Sequence, residues 1–316
     1  MTLAILFQLA NAMLVVALAP LVTGIVRKTK ARLLLRQGPS IFQPYRDLAR
    51  LLRKESVLAE NASWLFAAAP FLVFAFTWVG AALVPTFASS LPLGRSADLI
   101  AIIGLLGSAR FVLALAGLDV GTSFGGIGSS REAMLASVAE PAMLMLIFSI
   151  ALVAGSTELP AIAAFVHSSQ VGLRISLGLA LVGLVMVAIA ENGRIPIDNP
   201  ATHLELTMVH EAMVLEYSGR HLALIELAAS LKLLLYLSLI AVVFVPFGTA
   251  LAHAGPWQYV AALATYLGKI AAGAVLLGIF EITEAKMRVF RAPEFIGAAL
   301  MLGLLAALLR LVSRSF

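Results

Sequence analysis

Apolar residues run along this chain in blocks too long for the core of a soluble domain. Runs close to the roughly 20 residues a helix needs to cross a bilayer occur at 3–26, 64–87, 98–118, 132–154, 171–190, 222–247, 257–280 and 296–312. The pattern predicts an all-α polytopic membrane protein: eight transmembrane helices forming one integral membrane domain over residues 1–316. An even number of spans places both termini on one side. Polar residues gather in four connections, 27–63, 119–131, 191–221 and 281–295. In the first, the stretch from Pro44 to Glu55 reads as an amphipathic helix lying at the membrane interface. In the second, Gly121 to Ser130 is rich in Gly and Ser, and either folds tightly against a neighbour or stays mobile. The third is a long polar insertion with a helical stretch of its own.

Charge fixes the expected sidedness. The first apolar run has no Lys or Arg before it and is followed by Arg27, Lys28, Lys30, Arg32, Arg36, Arg46, Arg50, Arg53 and Lys54. The other three polar connections hold Arg131, then Arg194 and Arg220, then Lys286, Arg288 and Arg291. By the positive-inside rule these connections are cytoplasmic and both termini face out. Arg310 and Arg314 in the tail dissent, but late charges usually yield to the first helix. Composition agrees with a membrane setting: 61% of the 316 residues are hydrophobic and 12% charged. The absence of cysteine excludes disulfides, thiolate-held zinc, iron-sulfur clusters and cysteine-ligated nickel.

An ionisable residue inside a span costs at least about 2.5 kcal/mol on insertion scales, so each one needs a reason. Arg110, Glu140, Glu226, Lys232 and Lys269 all fall within apolar runs. They are either structural ion pairs between helices or a buried chain of protonatable groups. Glu132 and Glu140 lie eight apart, about 80° around a helix axis, so both can face the bundle interior. Pro141 leaves the carbonyl of Ser137 without its helical partner, which fits a water-filled pocket or a simple packing kink.

The segment 191–226 carries six of the 17 acids: Glu191, Asp198, Glu205, Glu211, Glu216 and Glu226. Taken as a helix, 203–217 puts His203, Thr207, His210, Val214 and Tyr217 on one stripe, with Glu205 and Glu216 nearly opposite. It is either a solvated helix or one whose carboxyls are raised in pKa by apolar neighbours. His203, His210 and His221 are spaced poorly for one ion, so no metal site is expected.

Several motifs resemble a known family. ENGRIPID (Glu191 to Asp198), EYSG (Glu216 to Gly219) and RQGPS with a following Pro44 resemble the quinone-site membrane subunit, subunit 1, of respiratory complex I. Three further stretches are more similar to the sister branch, the membrane-anchor subunits of energy-converting NiFe hydrogenases of the formate hydrogenlyase and hydrogenase-4 type. These are Asp198 to Gly219, GGIGSSREAM (Gly125 to Met134) and EAKMRVFRAPE (Glu284 to Glu294).

The resemblance implies a non-redox subunit of an oxidoreductase complex in a bacterial or archaeal cytoplasmic membrane, with no catalytic residue and no cofactor of its own. The expected partners are hydrogenase large and small subunits and iron-sulfur subunits on the cytoplasmic side, antiporter-like membrane subunits and the lipid bilayer, with no nucleic acid. NiFe and iron-sulfur centres are expected in those partners. It also implies an acid-lined cavity and proton path carried by Glu132, Glu140, Glu191, Arg194, Asp198, Glu205, Glu211, Glu216, Glu226 and Lys232, with Arg131, Arg288 and Arg291 on the docking surface. Two alternatives stay open: a proton-pumping NADH:quinone oxidoreductase subunit, in which a quinone binds, and a free-standing ion transporter. The second lacks the internal repeat common among secondary transporters.

Overall fold

The computed structural model describes residues 2–88, 92–167, 175–194, 208–250, 255–283 and 291–315. They form eleven α-helices: α1 Thr2–Leu33, α2 Gln43–Leu52, α3 Trp64–Leu83, α4 Leu99–Asp119, α5 Ser123–Ala154, α6 Leu159–His167, α7 Ile175–Glu191, α8 His210–Val214, α9 Gly219–Phe244, α10 Pro256–Thr283 and α11 Ala292–Ser315. Two isolated bridges, Ala88 to Ala250 and Asp98 to Glu158, are the β-type pairings among the described residues. Seven helices, α1, α3, α4, α5, α9, α10 and α11, are long and apolar enough to cross a membrane. Helix α7 is apolar but has 17 residues, about 26 Å at 1.5 Å per residue. The described chain therefore holds seven full-length spans and one shorter apolar helix where eight were expected, and the expected start of that span, 171–174, lies outside the described residues.

Helix α9 is the centre of the bundle. About 67% of its most apolar window is buried, against 22–44% in the other six long helices. It packs on α1, α3 and α10, while α11 lies against α5 and α7. Small residues allow the close approaches that packing between membrane helices relies on. A Cβ on Gly183 of α7 would meet Leu146 of α5 at 2.5 Å, and one on Gly303 of α11 would meet the backbone of Leu146 at 3.2 Å. At the end of α3 the carbonyls of Ala82 and Val84 lack helical partners, and the buried Asn11 of α1 donates to both, with Gln8 also on Ala82.

The Gly/Ser-rich connection is not a loop. Gly121, at φ +70°, ends α4, Thr122 caps the next helix by accepting from the Gly125 amide at 3.2 Å, and 123–131 belong to α5. Of its two expected behaviours, tight packing is the one realised: a Cβ on Gly125 would lie 2.2 Å from the Gly117 carbonyl of α4, and one on Gly128 would lie 2.8 Å from that of Val209. The expected helix 203–217 also differs. Only His210–Val214 is helical among its described residues, and 203–207 lie outside them. The amphipathic helix of the first connection is present as α2.

Candidate functional site

Helices α4 and α5 run antiparallel and touch backbone to backbone where Gly117 meets Gly125, with the Ser129 hydroxyl also against Gly117. Seven residues, two helical turns, separate Gly117 from Arg110 and Gly125 from Glu132. The same contact face therefore carries Arg110 opposite Glu132, 3.6 Å apart. Further down, a Cβ on Gly107 would lie 3.4 Å from the Glu140 carboxylate. The missing side chain at 107 lets Glu140 come within 3.9 Å of Arg110. Glu191, the last residue of α7, completes the set, 2.5 Å from Arg110 and 2.9 Å from Lys232 of α9. Its side chain is 4% exposed and that of Arg110 10%. Three carboxylates thus face two cations, and a carboxylate held in low dielectric without matching charge is costly. Among the described residues, these ion pairs leave the cluster with one more carboxyl than cations.

Beside this cluster lies a cavity of about 190 Å³. Arg110, Glu132, Glu191, His210, Glu211 and Lys232 line its polar side, and Val73, Leu106, Leu113, Ile225 and Ile296 its apolar side. Among the described residues, no group of three or more His, Asp or Glu side chains converges to hold a metal ion.

A second cluster sits at the adjoining helix ends. Glu281 of α10, with 4% of its side chain exposed, accepts Lys30 of α1 at 2.6 Å and Arg194 at 3.3 Å. Arg194 follows α7 by three residues, so Glu281 ties the chain carrying Glu191 to α1 and α10. Arg131 donates to the Met208 carbonyl at 2.8 Å, holding the segment that enters α8 against α5.

The expected site residues therefore divide. Glu132, Glu140, Glu191 and Lys232 come together around Arg110, Glu211 joins them at the cavity wall, and Arg194 belongs to the neighbouring Glu281 cluster. Glu216 and Glu226 are exposed and do not line the cavity. Arg291 is exposed, whereas Asp198, Glu205 and Arg288 lie outside the described residues. Among the described residues Lys269 pairs with no acid; it donates to the Val245 carbonyl at 2.6 Å and to that of Phe247.

The EYSG motif has a packing role. Gly219 sits at φ +53°, and a Cβ there would meet the Glu55 carbonyl at 2.2 Å. Ser218 exchanges hydrogen bonds with the Val57 backbone. Tyr217 stacks on Phe66 with ring centroids 4.1 Å apart and donates to the Phe66 carbonyl. Burial, with the Asp119 carboxylate nearby, pushes its phenol well above the ordinary range, so it stays a donor.

Sequence reasoning placed Arg110 among the buried charges without assigning it to the site, and missed Glu281. The signal for Glu281 was an acid at the polar end of an apolar run.

The sequence pattern of the family described as NADH dehydrogenase matches residues 5–312. Formate hydrogenlyase subunit 4 of Escherichia coli K12 is 33% identical over 302 residues, 96% of this chain and 97% of that protein. Hydrogenase-4 component C of the same organism is 36% identical over 248 residues, covering 78% and 77%. NADH-quinone oxidoreductase subunit 8 of Rhodothermus marinus is 28% identical over 235 residues, 70% of this chain and 67% of that protein. A chain from the solved structure of the membrane-bound sulfane sulfur reductase, an archaeal respiratory membrane complex, superposes with a TM-score of 0.80 at 19% identity, over 97% of this chain and 99% of that one. At that identity the likeness speaks for the fold. With its seven apolar helices, the chain is a multi-pass membrane protein.

Proposed function

The chain belongs to the NADH dehydrogenase family, and from that premise we propose that it is the non-redox membrane subunit of a membrane-bound NiFe hydrogenase of the formate hydrogenlyase type. It seats a hydrophilic hydrogenase arm and adds an acid-lined cavity to the coupling of turnover with proton movement. The observation that carries this reading is the charge cluster of Arg110, Glu132, Glu191 and Lys232 on the cavity wall, with Glu140 at its more exposed edge. Its excess carboxyl offers a place to take up and release a proton without a metal or a thiol. Resemblance at 33% identity over nearly the full length to formate hydrogenlyase subunit 4 supports the hydrogenase branch.

In this reading residues 1–316 form one membrane domain, α7 with the residues before it makes the eighth span, and both termini face out of a bacterial or archaeal cytoplasmic membrane. Arg131, Arg288 and Arg291 belong to the face on which the arm docks. Asp198 and Glu205 are assigned to the same proton path. The partners are hydrogenase large and small subunits, iron-sulfur subunits and antiporter-like membrane subunits, and these hold the NiFe and iron-sulfur centres.

The cluster's role follows from its charges. Arg110 contacts Glu132, Glu140 and Glu191, and Lys232 contacts Glu191, so a displacement of either cation changes the charge balance around these carboxyls. A remote reduction reaches the cluster only through a change that differs between two states. Glu281, gripping both Arg194 and Lys30, supplies the mechanical link from the helix ends to Glu191.

The test is purification of the tagged chain with its native partners. The expected preparation contains nickel and evolves hydrogen. A preparation without nickel that reduces quinone overturns the hydrogenase assignment in favour of the complex I alternative, and a chain that moves ions alone in liposomes overturns the subunit reading.

A further inference from the structure

After α1 ends at Leu33 the chain doubles back along it. Lys28 donates to the Gln37 carbonyl at 2.7 Å, and a Cβ on Gly38 would touch Ala31 at 2.3 Å. The Ile41 carbonyl occupies the space where Gly24 lacks a side chain, and the Tyr45 hydroxyl of α2 donates to the Ala17 carbonyl. From Leu33 back to Gly24 is nine residues, about 14 Å along the axis. Helix α2 therefore starts beside the last apolar turn of α1, below its basic extension. Its far end is pinned too, because the carbonyls of Lys54 and Glu55 pack on Gly219, the first residue of α9. Both anchors lie at the edge of an apolar run, which sets α2 along the membrane boundary.

The free side of α2 is basic. Arg46, Ala49, Arg50, Arg53 and Lys54 line one shallow groove, as expected for positions i, i+3, i+4, i+7 and i+8 of a helix. All four cations are exposed. Arg50 bridges to Asp47 at 3.3 Å, and among the described residues no acid pairs with Arg46, Arg53 or Lys54. Large apolar side chains adjoining the groove in the chain are exposed: Phe42 at 60% and Val57 at 72%. Cations flanked by exposed aromatic and aliphatic groups at a fixed membrane depth match the polar-apolar boundary of a lipid leaflet.

We propose that the α2 groove of Arg46, Arg50, Arg53 and Lys54 binds the headgroup phosphates of anionic phospholipids, with Phe42 and Val57 against the acyl chains. An anionic lipid supplies what the groove lacks, negative charge and apolar surface in one molecule. The occupant is assigned to the bilayer and not to a protein because α2 sits back at the level of the apolar turn near Gly24, beneath the extension carrying Arg27 to Arg32.

The test titrates the purified full chain in detergent with short-chain phosphatidylglycerol, alongside short-chain phosphatidylcholine and glycerol phosphate. Phosphatidylglycerol is expected to bind more tightly than either control. The double variant Arg46→Gln with Arg53→Gln is expected to weaken it at least about fivefold, the weight of a single basic residue near an anionic surface. Arg46→Lys with Arg53→Lys is expected to keep the affinity, which separates charge from a folding defect. Equal affinity for phosphatidylcholine, tight binding of glycerol phosphate alone, or an unchanged affinity in the Gln variant overturns the proposal. Loss of partner subunits from the purified complex with phosphatidylglycerol affinity intact also overturns it, and assigns the face to a protein.

Discussion

Arg110 holds Glu132, Glu140 and Glu191 at once, so its removal leaves buried carboxylates without their counter-charge. Breaking a buried pair from one side costs about 3–5 kcal/mol. Arg110→Leu is expected to lose stability on that scale in thermal unfolding of the purified chain. Arg110→Leu combined with Glu191→Leu is expected to lose less than the sum of the two single changes. Additive losses would show that the two side chains are not coupled. Glu140, with 47% of its side chain exposed and 3.9 Å from Arg110, is expected to contribute less than about 1 kcal/mol. Gly219→Ala meets two obstacles, the positive φ and the Glu55 carbonyl. A strained backbone position of this kind costs on the order of 1–3 kcal/mol, and proteolysis within 53–60 is expected to accelerate; an unchanged rate would deny the glycine that role.

At the scale of elements, the contact between α4 and α5 sets the register of the charges. Gly128 faces the Val209 carbonyl and Ala212, whereas Gly126 faces open space. Gly126→Ala is expected to be neutral or stabilising by up to about 1 kcal/mol through helix propensity. Gly128→Val is expected to separate α8 from α5 and slow turnover of the complex, and identical behaviour of the two variants would contradict the packing described. The helical patterns within single segments were legible in the sequence: the long apolar runs and the α2 amphipath depend on local periodicity. The pairing of Arg110 with Glu132 was not, because it depends on where two helices cross, and Gly125 sits in a Gly/Ser-rich stretch that read as a connection. Glu281 was hidden for a similar reason, since its partners Lys30 and Arg194 come from distant parts of the chain. Glu216 and Glu226 belong to the local acidic excess, but Glu216, in the turn after α8, and Glu226, on an exposed face of α9, do not line the cavity.

Across the whole molecule, a basic face, an acid-lined cavity and a buried charge cluster occupy one end of the helix bundle, and the chain itself has no cysteine to carry electrons. The proposed division of labour leaves redox chemistry to partner subunits and proton handling to Glu191 and its neighbours. The measurement that tests this most directly is proton movement per hydrogen evolved in inverted membrane vesicles holding the intact complex, with Glu191→Gln and Glu132→Gln set against Glu216→Gln. Proton-handling side chains typically command rate effects of about 10²–10⁴. The account predicts that Glu191→Gln and Glu132→Gln cut proton movement per turnover at least about tenfold with the complex still assembled, while Glu216→Gln matches the unaltered protein. Unaltered proton movement in both cluster variants, or an equal loss in Glu216→Gln, would contradict it.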